Sequence, residues 1–95
     1  MFDYQLTPAI EKDLKKIRSK ELRKRVAAGI HQVRTDPLCG SPKTGSLRGL
    51  IALRIDEAGV SYRLGYYFEK ERNMVVFVLF DSRERFYQRA KRLFG

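Results

Sequence analysis

Cysteine and histidine are nearly missing from this sequence of 95 residues, which contains one of each, Cys39 and His31. A single cysteine cannot form a disulfide within the chain, so we expect a reducing, cytoplasmic environment. One cysteine and one histidine also fall short of a zinc ligand set and do not suggest the Ser-His-Asp or Cys-His sets of hydrolytic enzymes. We therefore expect no metal ion and no covalent nucleophile.

Long apolar segments and glycine-rich cofactor motifs are absent as well. The longest apolar run, Met74 to Phe80, is far too short to span a bilayer, so we expect no membrane association. The N-terminal residues MFDYQLTP lack the basic and apolar regions of a signal peptide, and we expect none. No Walker or Rossmann glycine pattern occurs, so no nucleotide cofactor is expected.

Acidic residues are scarce relative to basic ones. The chain has 20 Lys and Arg against 11 Asp and Glu, a formal net charge of +9. This excess is larger than solubility alone requires. It indicates a polyanionic partner, either nucleic acid or an acidic protein, although a solvated basic surface would have the same composition.

The pattern of apolar residues predicts one α+β domain over residues 1–95, in the order β-α-α-β-β-β-α. After a short N-terminal strand, Thr7 and Ser19 are expected to cap two helices, and the second should end before Pro37. These helices would form a hairpin that packs its apolar stripes on one face of the sheet.

The stretch from 47 to 87 predicts an antiparallel, twisted meander of three strands followed by the last helix. The third strand of the meander is apolar on both sides, as expected for a central strand. The last helix should begin near Ser82, lie near the sheet edge, and bury Phe86, Ala90 and Leu93. The concave face opposite the hairpin would then carry the arginines.

Arginines recur along this stretch at Arg48, Arg54, Arg63 and Arg83, and Tyr87 follows them. Without histidine or metal, such a set suits RNA cleavage in which the substrate's own 2′-hydroxyl attacks the phosphate. Guanidinium groups would stabilise the phosphate charge, and a tyrosine near cations has a lowered pKa that fits proton transfer. The same residues would also fit a generic binding face, with arginine stems on apolar surface.

Three short sequence motifs resemble those of the RelE/ParE toxin superfamily of type II toxin–antitoxin systems. They are Leu47-Arg48-Gly49, then Gly59 followed by Tyr62-Arg63-Leu64, and finally Arg83 with Tyr87 four residues later. The resemblance implies a small cytoplasmic toxin that a cognate antitoxin neutralises, within a toxin–antitoxin hetero-oligomer. Its RelE-like branch implies a metal-independent, ribosome-dependent endoribonuclease that cleaves mRNA by 2′-hydroxyl attack.

The resemblance also implies roles for single residues. Arg63 and Arg83 would hold the scissile phosphate, with Arg83 a candidate proton donor to the leaving 5′-oxygen, and Tyr87 would stack on a base or relay a proton. The remaining candidates would contact RNA: Arg48, Arg54, Lys43, Tyr67 and Arg85. Many relatives have a histidine where this chain has Ser82, so the general base is either Tyr87 or Lys43.

Two other functions fit the same sequence. ParE-like members of the superfamily poison DNA gyrase and are not nucleases. A non-toxic basic module that binds RNA or a protein partner is the other alternative. In each toxin interpretation, an acidic antitoxin segment would lie over the basic face, whereas the ribonuclease interpretation adds ribosome-bound mRNA as a partner.

Overall fold

The computed structural model describes residues 1–95 and contains eight main helices and strands. They are β1 Asp3–Leu6, α1 Pro8–Lys15, α2 Lys20–Thr35, β2 Ser41–Pro42, β3 Ile51–Glu57, β4 Val60–Glu69, β5 Met74–Ser82 and α3 Arg83–Phe94. Short 3₁₀ turns at Gly45–Leu47 and Lys70–Arg72 lie between strands. None of the helices is long and apolar enough to cross a membrane.

The five strands form one sheet in the order β1-β5-β4-β3-β2. This confirms the predicted α+β class and the order of the predicted elements, including the antiparallel meander of β3, β4 and β5. Two details differ from the prediction. The sheet is mixed, because β1 pairs in parallel with β5, and the two-residue strand β2 adds an edge beside β3.

The predicted helical hairpin is confirmed on one face of the sheet. Thr7 accepts a hydrogen bond from the backbone N–H of Ile10 at 3.4 Å, and Ser19 accepts one from Leu22 at 3.1 Å. These caps satisfy backbone donors that the first turns leave free. The apolar stripes of α1 and α2 then pack on the inner sides of β3, β4 and β5 as the larger of two core clusters.

Helix α3 covers the opposite face of the sheet, which corrects the prediction that it lies near the edge. Phe86 and Ala90 are fully buried there, and the Phe86 ring lies on Gly65 of β4. A Cβ atom at Gly65 would come within 2.7 Å of Phe86 Cε1, so only glycine allows this approach. The predicted open, concave face is therefore covered through its middle, and Leu93 is 50% exposed rather than buried.

A buried ionic cluster fastens α3 to the rest of the molecule. The carboxylate of Asp13 in α1 accepts a hydrogen bond from the Phe80 N–H at 3.0 Å and forms an ion pair with Arg89 of α3, also at 3.0 Å. Arg89 also lies 3.0 Å from Asp81 at the end of β5. The apolar stripe predicted for the last helix, Phe86, Ala90 and Leu93, would leave Arg89 on the outer side, whereas its side chain is only 23% exposed.

Replacing Arg89 with methionine should destabilise the fold by about 2–3 kcal/mol, because Asp13 would be left buried and unpaired. Urea unfolding of Arg89→Met against the wild type measures this difference. Arg92→Met is the matched control, since Arg92 is exposed on the same helix and forms no ion pair; its effect should stay below about 0.5 kcal/mol. Equal losses in the two variants would contradict the proposed role of the cluster.

Candidate functional site

Three polar side chains from separate elements meet beside the first turns of α3. Tyr87 comes from α3, Arg63 from β4, and Lys43 from the loop after β2. The Lys43 ammonium lies 5.4 Å from the centroid of the Tyr87 ring. Burial alone raises the pKa of Tyr87, but Lys43 and Arg63 outweigh it, and the pKa is lowered from its ordinary value.

Backbone and side-chain hydrogen bonds hold these cations in place. The Lys43 N–H donates to the Leu50 carbonyl at 2.8 Å, which continues the pairing of β2 with β3. Arg63 donates to the Ser61 hydroxyl at 2.7 Å and to the Tyr62 carbonyl at 3.0 Å. These bonds fix the backbone at Lys43 and the side-chain direction of Arg63 beside Tyr87.

Arg83 and Arg54 extend the cluster on two sides. Arg83 is the exposed first residue of α3, one turn before Tyr87, and the two line a shared groove. Arg54 on β3 lies opposite Arg63 in the strand register. Its guanidinium holds Asp56 at 3.0 Å and is the main cause of the lowered pKa of that carboxyl. We refer to Lys43, Arg54, Arg63, Arg83 and Tyr87 as the Tyr87 cluster.

Three of the residues predicted to bind RNA lie outside the Tyr87 cluster. Tyr67 packs edge-on against Phe94 at the far end of α3, with ring centroids 5.7 Å apart. Arg48 follows the 3₁₀ turn and precedes a glycine that lies against Tyr67. Arg85 lines a different groove, on the other flank of α3. Tyr67 therefore lies near the C-terminal end of α3, whereas Tyr87 lies near the start of that helix.

One supporting residue was not anticipated from the sequence. Tyr66 is fully buried on the inner face of β4, and its hydroxyl donates to the Pro37 carbonyl at 2.8 Å. It accepts a hydrogen bond from the Gly40 N–H at 3.1 Å. These bonds fix the loop that leads into Lys43. A tyrosine among apolar residues in the sequence gave no sign of this contact, since the partners are backbone atoms far along the chain.

Residues 5–91 match the family model of the ParE-like toxin of type II bacterial toxin–antitoxin systems. This chain belongs to that toxin family. The predicted membership of the RelE/ParE superfamily is confirmed by this match and by the structural neighbours. No curated protein sequence matches the toxin.

Solved RelE structures share the fold of the toxin. A mutant of the Escherichia coli RelE toxin in the free state superposes with a TM-score of 0.75 at 18% identity, covering 97% of each chain. The toxin–antitoxin complex RelBE2 of Mycobacterium tuberculosis gives 0.69 at 26% identity, over 86% of this chain and 98% of that one. The intact E. coli RelBE complex gives 0.70 at 16% identity, over 84% and 94%.

Proposed function

We propose that this toxin is a RelE-like endoribonuclease that cleaves mRNA on the ribosome through attack of the substrate's 2′-hydroxyl. The observation that supports it most is the approach of Lys43 and Arg63 to Tyr87, which lowers the pKa of the tyrosine. A proton acceptor next to phosphate-binding cations is what such a reaction needs from the protein, because the nucleophile comes from the RNA.

Four of the five residues of the Tyr87 cluster have a defined task in this mechanism. The ionised hydroxyl of Tyr87 removes the proton of the 2′-hydroxyl, and the 2′-oxygen then attacks phosphorus. Arg63 and Arg83 stabilise the negative charge that develops on the phosphate oxygens. The bond from phosphorus to the 5′-oxygen breaks, which gives a 2′,3′-cyclic phosphate and a 5′-hydroxyl. Lys43 donates the proton to that oxygen, since an arginine does not release one.

Induction of the toxin in cells tests this function. Pulse labelling should show that protein synthesis stops before DNA synthesis, and the mRNA should be cleaved. The double variant Arg63→Ala/Arg83→Ala is the control and should leave translation running. If DNA synthesis fails first while mRNA stays intact, the ribonuclease proposal is wrong.

A ParE-like action on DNA gyrase is the second candidate, because the matching family model is described as ParE-like. Under this proposal, induction of the toxin should cause DNA breaks and an SOS response, and pulse labelling should show that translation initially continues. The double variant Arg63→Ala/Arg83→Ala would not abolish a catalytic step, since gyrase poisoning needs none from the toxin. If neither synthesis changes, the chain is a non-toxic binding relative.

We also propose that a cognate antitoxin neutralises the toxin with an acidic segment over the Tyr87 cluster. Relatives of this fold have been crystallised with their antitoxins, and this chain has a net charge of +9. Association should therefore slow by roughly tenfold or more between low and physiological salt, measured by stopped-flow mixing with the purified antitoxin. An association rate that does not respond to ionic strength would contradict this contact.

A further inference from the structure

A second groove lies on the flank of α3 that faces away from the Tyr87 cluster. It runs between the connection of α1 with α2 and the first half of α3, and it has a volume of about 420 Å³. Arg85 and Arg89 project from α3 into this groove, nearly opposite Arg83 and Tyr87 around the helix. The proposed ribonuclease mechanism uses none of its residues.

The groove contains cations without counter-charges. Its two acidic residues, Asp13 and Asp81, are both occupied by Arg89. Three further cations line it, and none of them forms an ion pair: Lys16, Arg18 and Arg85. All three side chains are exposed. Such a concentration of unpaired positive charge is unfavourable in the free protein and favours an anionic ligand.

A half-buried tyrosine, supported by a buried phenylalanine, forms part of the groove wall. The half-buried Tyr62 ring stacks on Phe80 with centroids 5.3 Å apart and an interplanar angle of 14°. Both rings line the groove. Sites for single-stranded nucleic acid combine a basic groove, which follows the phosphates, with aromatic rings on which bases stack. An acidic peptide would use the cations but would gain little from the aromatic pair.

We propose that the groove formed by Lys16, Arg18, Tyr62 and Arg85 binds single-stranded RNA as a second contact, separate from the Tyr87 cluster. The inference rests on the proposed function for the choice of RNA as the ligand. The groove and the Tyr87 cluster flank one helix of about 10 Å diameter, so one strand can pass over the start of α3 and contact both. In this proposal Arg85 contacts RNA, as the sequence predicts, but in the groove and not at the Tyr87 cluster.

Fluorescence anisotropy with a labelled, 2′-O-methylated oligouridine tests the groove, because this probe is single-stranded and cannot be cleaved by 2′-hydroxyl attack. The triple variant Lys16→Ala/Arg18→Ala/Arg85→Ala should bind it at least about tenfold more weakly at low salt. The slope of log affinity against log salt should become shallower by about 2, from three lost phosphate contacts at about 0.7 each.

The matched control is Lys24→Ala/Lys70→Ala/Arg92→Ala, which removes the same charge from exposed residues outside the groove. It should weaken binding by no more than about threefold, because distant charges are screened. Equal losses in the two triple variants would show that only net charge matters and would overturn the proposal. The proposal would also be overturned if the wild-type protein did not bind the labelled oligouridine.

The aromatic contribution has its own variant. Tyr62→Leu should weaken binding about fivefold to tenfold through lost stacking, and a thermal melt checks that the variant remains folded. If polyglutamate displaces the probe from the groove at lower concentration than unlabelled oligouridine does, the groove is a peptide site and the proposal fails.

The cleavage assay on ribosomes separates this inference from the proposed function. Groove-dependent RNA binding without mRNA cleavage would overturn the ribonuclease and leave the groove in place. If the toxin cleaves mRNA but the groove variant binds the probe as well as the wild type does, the ribonuclease proposal stands and the groove proposal is wrong.

Discussion

Replacing either Arg63 or Arg83 with alanine should lower the rate of mRNA cleavage on ribosomes by about 10²–10³-fold. Each variant removes a guanidinium from the place where charge is proposed to develop on the phosphate. The loss should appear mainly in the cleavage step rather than in ribosome binding. Single-turnover cleavage of a ribosome-bound mRNA measures that step directly.

Both arginine variants should remain folded, so the loss can be assigned to chemistry. Arg83 is exposed, and the hydrogen bonds of Arg63 go to Ser61 and to a carbonyl at the end of β4. Arg72→Ala is the control, because Arg72 is also an exposed arginine but lies in a turn and pairs with Glu69. Wild-type cleavage by a folded, ribosome-bound Arg63→Ala/Arg83→Ala variant would refute the catalytic role.

Replacing Tyr87 with phenylalanine should lower cleavage by about 10²–10⁴-fold, as expected for the loss of a general base. The change keeps the ring, which packs edge-on against Phe86 with centroids 5.2 Å apart, so the fold should be retained. Tyr4→Phe is the control, since Tyr4 is an exposed tyrosine on β1, at the opposite edge of the sheet from β2. A small effect of Tyr87→Phe with a large effect of Tyr87→Ala would instead assign stacking to the ring.

The pH dependence of cleavage provides a second measurement on the same residue. The base must be deprotonated, so the rate should rise with pH until the Tyr87 hydroxyl is ionised. Lys43 lowers the pKa of Tyr87, so Lys43→Ala should raise that pKa and shift the rise to higher pH. It should also lower the rate at every pH, because the proposed proton donor to the 5′-oxygen is lost. The rise should be lost in Tyr87→Phe. A profile that does not move in Lys43→Ala would contradict the coupling between the two groups.

The parts of the fold that local sequence determines could be predicted, and those set by distant contacts could not. Thr7 and Ser19 cap their helices through hydrogen bonds to residues three positions ahead, which the sequence pattern reveals. The parallel pairing of β1 with β5 joins residues about 70 positions apart. The position of α3 depends on Gly65 accepting the Phe86 ring, and a lone glycine in a strand does not reveal its neighbour.

The candidate site follows the same division. The sequence motifs that resemble the toxin superfamily contain Arg63, Arg83 and Tyr87. The structure brings all three to the start of α3. Lys43 was predicted as an RNA contact or as the general base, and its approach to Tyr87 depends on β2, a strand too short to recognise. Tyr67 was predicted as an RNA contact, and the structure places its ring against Phe94 at the C-terminal end of α3 through a contact that the sequence does not reveal.

Cleavage of an mRNA that has a single 2′-deoxy nucleotide 5′ to the scissile phosphate tests the central claim most directly. Purified toxin should cut the all-ribose mRNA on ribosomes and leave a 2′,3′-cyclic phosphate and a 5′-hydroxyl at the new ends. The deoxy mRNA should remain intact at that position, because the attacking hydroxyl is missing. Cutting of the deoxy mRNA at the same rate, or no cutting of either mRNA by toxin that arrests growth, would contradict the account.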